Sequence, residues 1–295
     1  MTAEALEGRV IRSYSNVYYV QVGSEVLECR PRGRLRYREE RVLAGDQVRV
    51  SRAGPGLGAV DEILPRRNAL SRPSVANVDQ VVIVQSFHEP DLDFGLLDRY
   101  LVVVALDDLP ATLCFNKADL ASPAEVAAFP ALYDRLGYRC VVASVRASEG
   151  LEDVRALLSG RISVLAGPSG VGKSSLLNAL SPGLGLRTGE VSRKVRRGTH
   201  TTRHVALIPT GEGGLVADTP GFAHLEVSDL RPSELAGYYP DLAALAPSCR
   251  FQGCAHRAEP DCRVKEAVAR GEVDRGRYER YLALLAEVEA NYRPW

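Results

Sequence analysis

One nine-residue stretch constrains this chain more than any other: Gly167-Pro168-Ser169-Gly170-Val171-Gly172-Lys173-Ser174-Ser175. It fits the phosphate-loop pattern G-x-x-x-x-G-K-[ST]. Before it runs Arg161–Ala166, apolar enough for a buried strand, and after it Leu176–Leu180 opens a helix. Glycines at 167, 170 and 172 let the backbone amides from Gly167 to Ser175 turn inward around phosphate oxygens, and the helix adds its positive end. Lys173 can reach the β- and γ-phosphates, and Ser174 can ligate Mg²⁺. The competing reading is a Gly-rich turn with nothing bound. The strand–loop–helix setting counts against it.

A chain of 295 residues has room for two or three domains, and the phosphate-loop unit needs only part of it. Its 37 basic and 37 acidic side chains cancel, so any nucleic-acid surface has to be local. Met1–Val10 carries acids and lacks the pattern of a signal peptide, and no apolar run reaches membrane-spanning length. A cytoplasmic monomer with no membrane partner is expected, its cysteines reduced or metal-bound.

Residues 1–68 read as an all-β barrel of the oligonucleotide-binding (OB) type. Arg9–Ile11, Val17–Val22, Ser24–Cys29 and Gln47–Val50 are short β-branched runs, and Gly54–Gly58 is a hairpin tip. Between strands, Arg30–Arg38 is densely basic with one tyrosine, either an RNA contact or a solvated loop. Residues 69–225 read as α/β: strands at Gln80–Ser86, Ala111–Phe115 and Arg139–Ala143, helices at Phe94–Ala105, Pro123–Leu136 and from Leu151.

The strand at Ala111–Phe115 runs into Asn116-Lys117-Ala118-Asp119, an N-K-x-D match. The Asp119 carboxylate can accept from N1–H and the exocyclic amine of guanine, which adenine cannot offer. Lys117 can lie over the base, and Asn116 can tie this loop to the phosphate loop. Ser144 and Val145 follow the next strand, where a backbone amide can close over guanine O6. Beyond the phosphate-loop helix, Arg187–Arg203 is a basic stretch ending in Gly198-Thr199-His200-Thr201-Thr202. Thr202, with Thr201 as its close rival, is the expected Mg²⁺ and γ-phosphate sensor. Val205–Ile208 and Gly214–Ala217 form a hairpin that leads into Asp218-Thr219-Pro220-Gly221, a D-x-x-G match. Asp218 can hold Mg²⁺ through water, and the Gly221 amide can meet the γ-phosphate.

GTPases usually place N-K-x-D after D-x-x-G. Here it precedes the phosphate loop, so the motifs stand in cyclic shift: a circularly permuted GTPase. Phe222 occupies the place where many GTPases carry a water-orienting glutamine. Intrinsic hydrolysis should therefore be slow, and His200 becomes the candidate catalytic group beside Lys173 and Thr202.

Residues 226–295 carry Cys249-x4-Cys254-x-His256-x5-Cys262, four ligands for a closed, structural zinc site. They support a region expected to have little apolar core of its own. Cys29, Cys114 and Cys140 read as packing residues. Asp274–Tyr292 reads as a helix with Tyr278, Tyr281, Leu282, Leu285, Val288 and Tyr292 along one stripe and Arg275, Arg277 and Arg280 near its start.

Taken together, the barrel, the permuted motifs, D-T-P-G-F and C-x4-C-x-H-x5-C resemble the RsgA (YjeQ/YloQ) family of bacterial ribosome-small-subunit-dependent GTPases, over essentially the whole chain. The resemblance implies an OB barrel, a permuted GTPase domain and a zinc domain acting late in assembly of the 30S subunit. It also implies contact with 16S rRNA and turnover of GTP to GDP stimulated by that subunit. The family's G-R-H-T-T-T switch reads Gly198-Thr199-His200-Thr201-Thr202-Arg203 here, and Ser15-Asn16 replaces an early turn that is often glycine. Two other readings stand beside this one: an RNA-binding chaperone with a scaffold-only nucleotide domain, and a permuted GTPase serving the large subunit.

Overall fold

The computed structural model describes residues 5–14, 16–33, 41–71, 73–182, 205–218, 225, 227 and 230–292. Strands β1 (Leu6–Tyr14), β2 (Val17–Val22), β3 (Glu25–Pro31), β4 (Gln47–Gly54) and β5 (Leu57–Ile63) pair in the order β1-β2-β3-β5-β4, and β4 returns to β1. That closes a five-stranded barrel and removes its sheet edges. Alternation in β2 and β3 turns Tyr18, Val20, Leu27 and Cys29 inward onto Val10, Val48, Val50 and Val60. The Gly54–Gly58 tip hides an element: only Pro55 and Gly56 turn, and β5 starts at Leu57. Gly58 and the charged Asp61 and Glu62 dilute the strand signal in the sequence.

A short hairpin, β6 (Ala69–Ser71) and β7 (Ser74–Ala76), leads to the second sheet. The junction is densely bonded. Leu64 N donates to Gln47 O at 2.9 Å, Asn77 Nδ2 to Gly45 O at 3.0 Å, and Arg66 Nε to the buried Asp46 carboxylate at 2.6 Å.

The second sheet holds β8 (Gln80–Ser86), β9 (Ala111–Asn116), β10 (Arg139–Val142), β11 (Ile162–Ala166), β12 (Val205–Gly211) and β13 (Gly214–Asp218), in the order β10-β9-β8-β11-β13-β12. All neighbours run parallel except β12, which pairs antiparallel with β13. β8 and β11 are buried throughout, as expected of a parallel sheet covered on both faces. One face carries α1 (Phe94–Leu106) and α2 (Pro123–Asp134); the other carries α3 (Leu151–Leu158) and α4 (Lys173–Leu180). Asp93 caps α1 by accepting from Leu96 N at 2.9 Å, and Ser122 with Glu125 forms a capping box on α2.

The C-terminal residues add α5 (Pro240–Leu245), α6 (Arg263–Ala269) and α7 (Arg275–Asn291). This region has little apolar core of its own, as its sequence predicts: Leu235, Tyr239, Leu242, Tyr281, Leu285 and Val288 join Leu97, Leu101 and Tyr133 in one apolar cluster. Arg277, near the start of α7, is buried. It is 1% exposed and donates to Asp98 Oδ1 at 2.5 Å and to Asp241 at 3.2 Å, with its guanidinium 4.7 Å from the Tyr239 ring centroid. Arg280 donates to the second Asp98 oxygen at 2.6 Å, so two helix α7 cations clamp one α1 carboxylate.

Candidate nucleotide and metal sites

The loops after β8, β9, β10 and β11 leave the sheet at the carboxyl ends of its parallel strands, where open α/β sheets bind ligands and where β13 also ends. Gly167 follows β11 with φ 128°, and a Cβ there would lie 2.1 Å from Val84 O. Gly172, at φ 97°, would put a Cβ 2.3 Å from Asn116 Nδ2. Only glycine allows both the backbone turn and these approaches. The helix then starts at Lys173 rather than Leu176, so Ser174 and Ser175 sit in its first turn.

Lys173 Nζ donates to Gly167 O at 2.8 Å and to Pro168 O at 2.7 Å, spanning its own loop. Burial pushes its pKa down to about 8. A phosphate in the loop would supply the missing countercharge.

Asn116 ends β9, 1% exposed, and its Nδ2 donates to Val171 O at 2.8 Å. The guanine-selecting motif and the phosphate loop are thereby one structure. Lys117 takes φ 60°, and its ammonium donates to Glu89 O. Asp119 is exposed and accepts from Ser144 Oγ at 2.5 Å, which aims a carboxylate outward from a fixed position. The Ser144 amide donates to Glu149 O at 2.9 Å, so Ser144 offers its hydroxyl, leaving Val145 as the amide available to a ligand.

Two neighbours of this site escape a reading of the sequence. The Glu89 carbonyl on Lys117 is a backbone group, without a signature in residue type. Tyr100, on α1, is 4% exposed; burial pushes its hydroxyl up to about 12, opposed by the Gly167 backbone beside it. Asp218 ends β13, whose Ala217 pairs with Val164 of β11, so the D-x-x-G entry lies one strand from the phosphate loop. His200, Thr201, Thr202, Gly221, Phe222, the 187–203 basic stretch and the 34–38 part of the barrel loop lie outside the described residues.

Cys249, Cys254, His256 and Cys262 converge, their ligand atoms all within 4.8 Å of one another. Cys249 Sγ lies 3.9 Å from Cys262 Sγ and 3.6 Å from His256 Nδ1, which lies 3.4 Å from Cys262 Sγ. Tetrahedral Zn²⁺ with bonds of about 2.0–2.3 Å separates its ligands by roughly 3.4–3.8 Å, so this donor set fits. The supporting loop is tightly held. Glu259 accepts from the amides of Ala255, Arg257 and Ala258; Tyr281 and Tyr278 donate to Ala255 O and His256 O at 2.8 and 2.6 Å. Burial holds His256 toward its neutral, metal-competent form. The remaining cysteines are packing thiols: burial pushes Cys29 up to about 11 and Cys114 up to about 12, and Cys140 also rises. Among the described residues no helix is long and apolar enough to cross a membrane.

A family model described as RsgA GTPase matches residues 63–228, and one described as RsgA N-terminal domain matches residues 7–60. Small ribosomal subunit biogenesis GTPase RsgA of Moorella thermoacetica is 48% identical over 288 residues, covering 98% of this chain and 99% of that protein. Its counterpart in Alkaliphilus metalliredigens is 42% identical over 289 residues, covering 97% and 99%. The crystal structure of YjeQ from Thermotoga maritima superposes with a TM-score of 0.83 at 37% identity, covering 96% of this chain and 98% of that one. That of YloQ, described as a circularly permuted GTPase, gives 0.82 at 37%, covering 99% and 98%.

Proposed function

Because the chain belongs to the RsgA GTPase family and is therefore a GTP hydrolase, we propose that it serves late assembly of the small (30S) ribosomal subunit, with turnover stimulated by that subunit. The observation that carries the nucleotide reading is the Asn116–Val171 hydrogen bond. It joins guanine selection to phosphate binding, so a scaffold-only domain would have kept an exacting contact with nothing to use it.

In this reading Asp119 pairs with the guanine edge, Lys117 covers the base, and the Val145 amide meets O6. The amides of Gly167 through Ser175 hold the phosphates, and Lys173 gives up its carbonyl partners for phosphate oxygens. Ser174, Thr202 and Asp218 are the magnesium-side residues; a bound Mg²⁺ supplies charge neutralisation of the phosphates. Gly221 donates to the γ-phosphate. Phe222 leaves water orientation to His200, which docking on the subunit brings into place. Cys249, Cys254, His256 and Cys262 hold a structural zinc. The named relatives act in small-subunit biogenesis, which supports 16S rRNA as the contact and the cytoplasm as location; a monomer is the working form proposed with them.

The deciding measurement is GTP turnover alone, with small subunits and with large subunits, for the unaltered chain, Lys173→Ala and His200→Ala. Strong stimulation by small subunits alone, lost in both variants, is the expected result. Stimulation by large subunits instead would redirect the partner, and full activity in Lys173→Ala would overturn the site.

A further inference from the structure

The barrel and the nucleotide domain are not merely tethered. Their strands form one eleven-stranded sheet, because β1 pairs antiparallel with β12 through Arg12↔Ala206 and Ser13↔Val205. Register extends this contact on both sides. Arg12 also pairs with Tyr19 of β2, and Ala206 also pairs with Asp218 of β13. Tyr19, Arg12, Ala206 and Asp218 thus form a single lateral row across four strands, running from the barrel surface to the D-x-x-G aspartate.

The outer end of the row has the chemistry of an RNA contact. The Arg12 guanidinium sits 5.6 Å from the Tyr19 ring centroid, is exposed, and has no carboxylate partner among the described residues. Tyr14, two residues along the strand, is 57% exposed. An unpaired cation stacked on an aromatic ring offers a π-face for an unstacked base and a charge for its phosphate. Among the described residues the ladder in the middle holds two pairs, and β1 carries an irregularity in its pairing with β2 between Val10 and Arg12 immediately beside it. Such a break in register lets the ladder tighten or loosen without unfolding either domain, which makes it a two-state element that ligands on both sides can bias.

We propose that an RNA base and phosphate bound on Arg12 and Tyr19 tighten the β1–β12 ladder and, through Ala206, fix Asp218 for hydrolysis, so that the barrel is a sensor of its partner as well as an anchor. This rests on the small-subunit reading above and on Asp218 as a magnesium-side residue. Coupling between sites typically amounts to about 5–150-fold, and we expect about tenfold here.

The test is GTP turnover titrated with small subunits at several Mg²⁺ concentrations, for the unaltered chain, Arg12→Ala and Tyr19→Ala; the thermal midpoint of each variant serves as the folding control. Coupling predicts that at saturating subunits the plateau falls about tenfold in both variants. It also predicts that subunits lower the Mg²⁺ needed for half-maximal turnover in the unaltered chain but not in the variants. A plateau and Mg²⁺ requirement that stay unchanged while only the half-saturating subunit concentration rises would make the patch a simple anchor and overturn the proposal. No effect of either variant would overturn it too. If the unaltered chain shows no stimulation, the function reading itself fails, a distinct result. Photo-crosslinking from position 19 checks the occupant: adducts with rRNA agree, whereas adducts with a ribosomal protein alone would overturn an RNA occupant.

Discussion

The barrel and the C-terminal helices join the nucleotide domain in opposite ways. The barrel keeps a closed core and meets its neighbour through backbone pairs, a few junction hydrogen bonds and one buried ion pair. The C-terminal helices have surrendered that independence: their apolar residues belong to the nucleotide domain's core, and Arg277 and Arg280 grip Asp98 within it. The first attachment can change without loss of fold. The second is part of the fold.

The strongest challenge to this contrast is removal of the metal. In small zinc domains apparent metal-binding energies of about 10–16 kcal/mol are largely folding energy. With a shared core, a chelator or Cys254→Ser should lower the thermal midpoint of the C-terminal helices and the nucleotide domain together. Two separated calorimetric transitions would break the comparison. Next in size is Asp98→Ala, which leaves buried Arg277 and half-buried Arg280 without their shared carboxylate. Loss of one partner of a buried pair costs about 3–5 kcal/mol, read as a lower urea midpoint for the same single transition. Asp46→Ala offers the counterpart in the barrel. It removes the buried acceptor for Arg66, and an unsatisfied partner costs about 1–3 kcal/mol. Here amide hydrogen exchange in the barrel should quicken first, with GTP affinity unmoved.

The smallest effect sharpens the site between the two attachments. Burial lowers the Lys173 pKa to about 8 from the ordinary 10.5, whereas bound phosphate favours the charged amine. As pH rises above about 8, free protein loses this proton and complex keeps it. Binding then takes up a proton and affinity falls, by at most tenfold per pH unit. Calorimetry in buffers of differing ionisation heat measures the uptake; none at pH 9 would mean that Lys173 does not change partners.

What can be read from the sequence is local. The phosphate loop, N-K-A-D and the Cys/His cluster each announce themselves within fourteen residues, because loop geometry and ligand spacing demand fixed residue types at fixed intervals. β8 and α1 follow from apolar pattern and a capping aspartate. What escapes is non-local or carried by backbone. Asp98 and Arg277 stand 179 positions apart, and nothing near either residue marks it as half of a buried pair. The Lys117–Glu89 carbonyl contact has no side-chain signature, and only the folded turn shows the Ser144 amide committed to Glu149. Strand β5 goes unseen because glycine and acids interrupt its alternation, yet it closes the barrel.

The β1–β12 pairing has a further consequence, for solubility. β12 would otherwise end the nucleotide domain's sheet, and its start at Val205 and Ala206 is where β1 lies against it. An uncovered strand edge is a template for pairing with other chains. Expressing the nucleotide domain without the barrel would uncover that stretch, so such a fragment should self-associate, and a lysine placed on β12's outer edge should be the remedy.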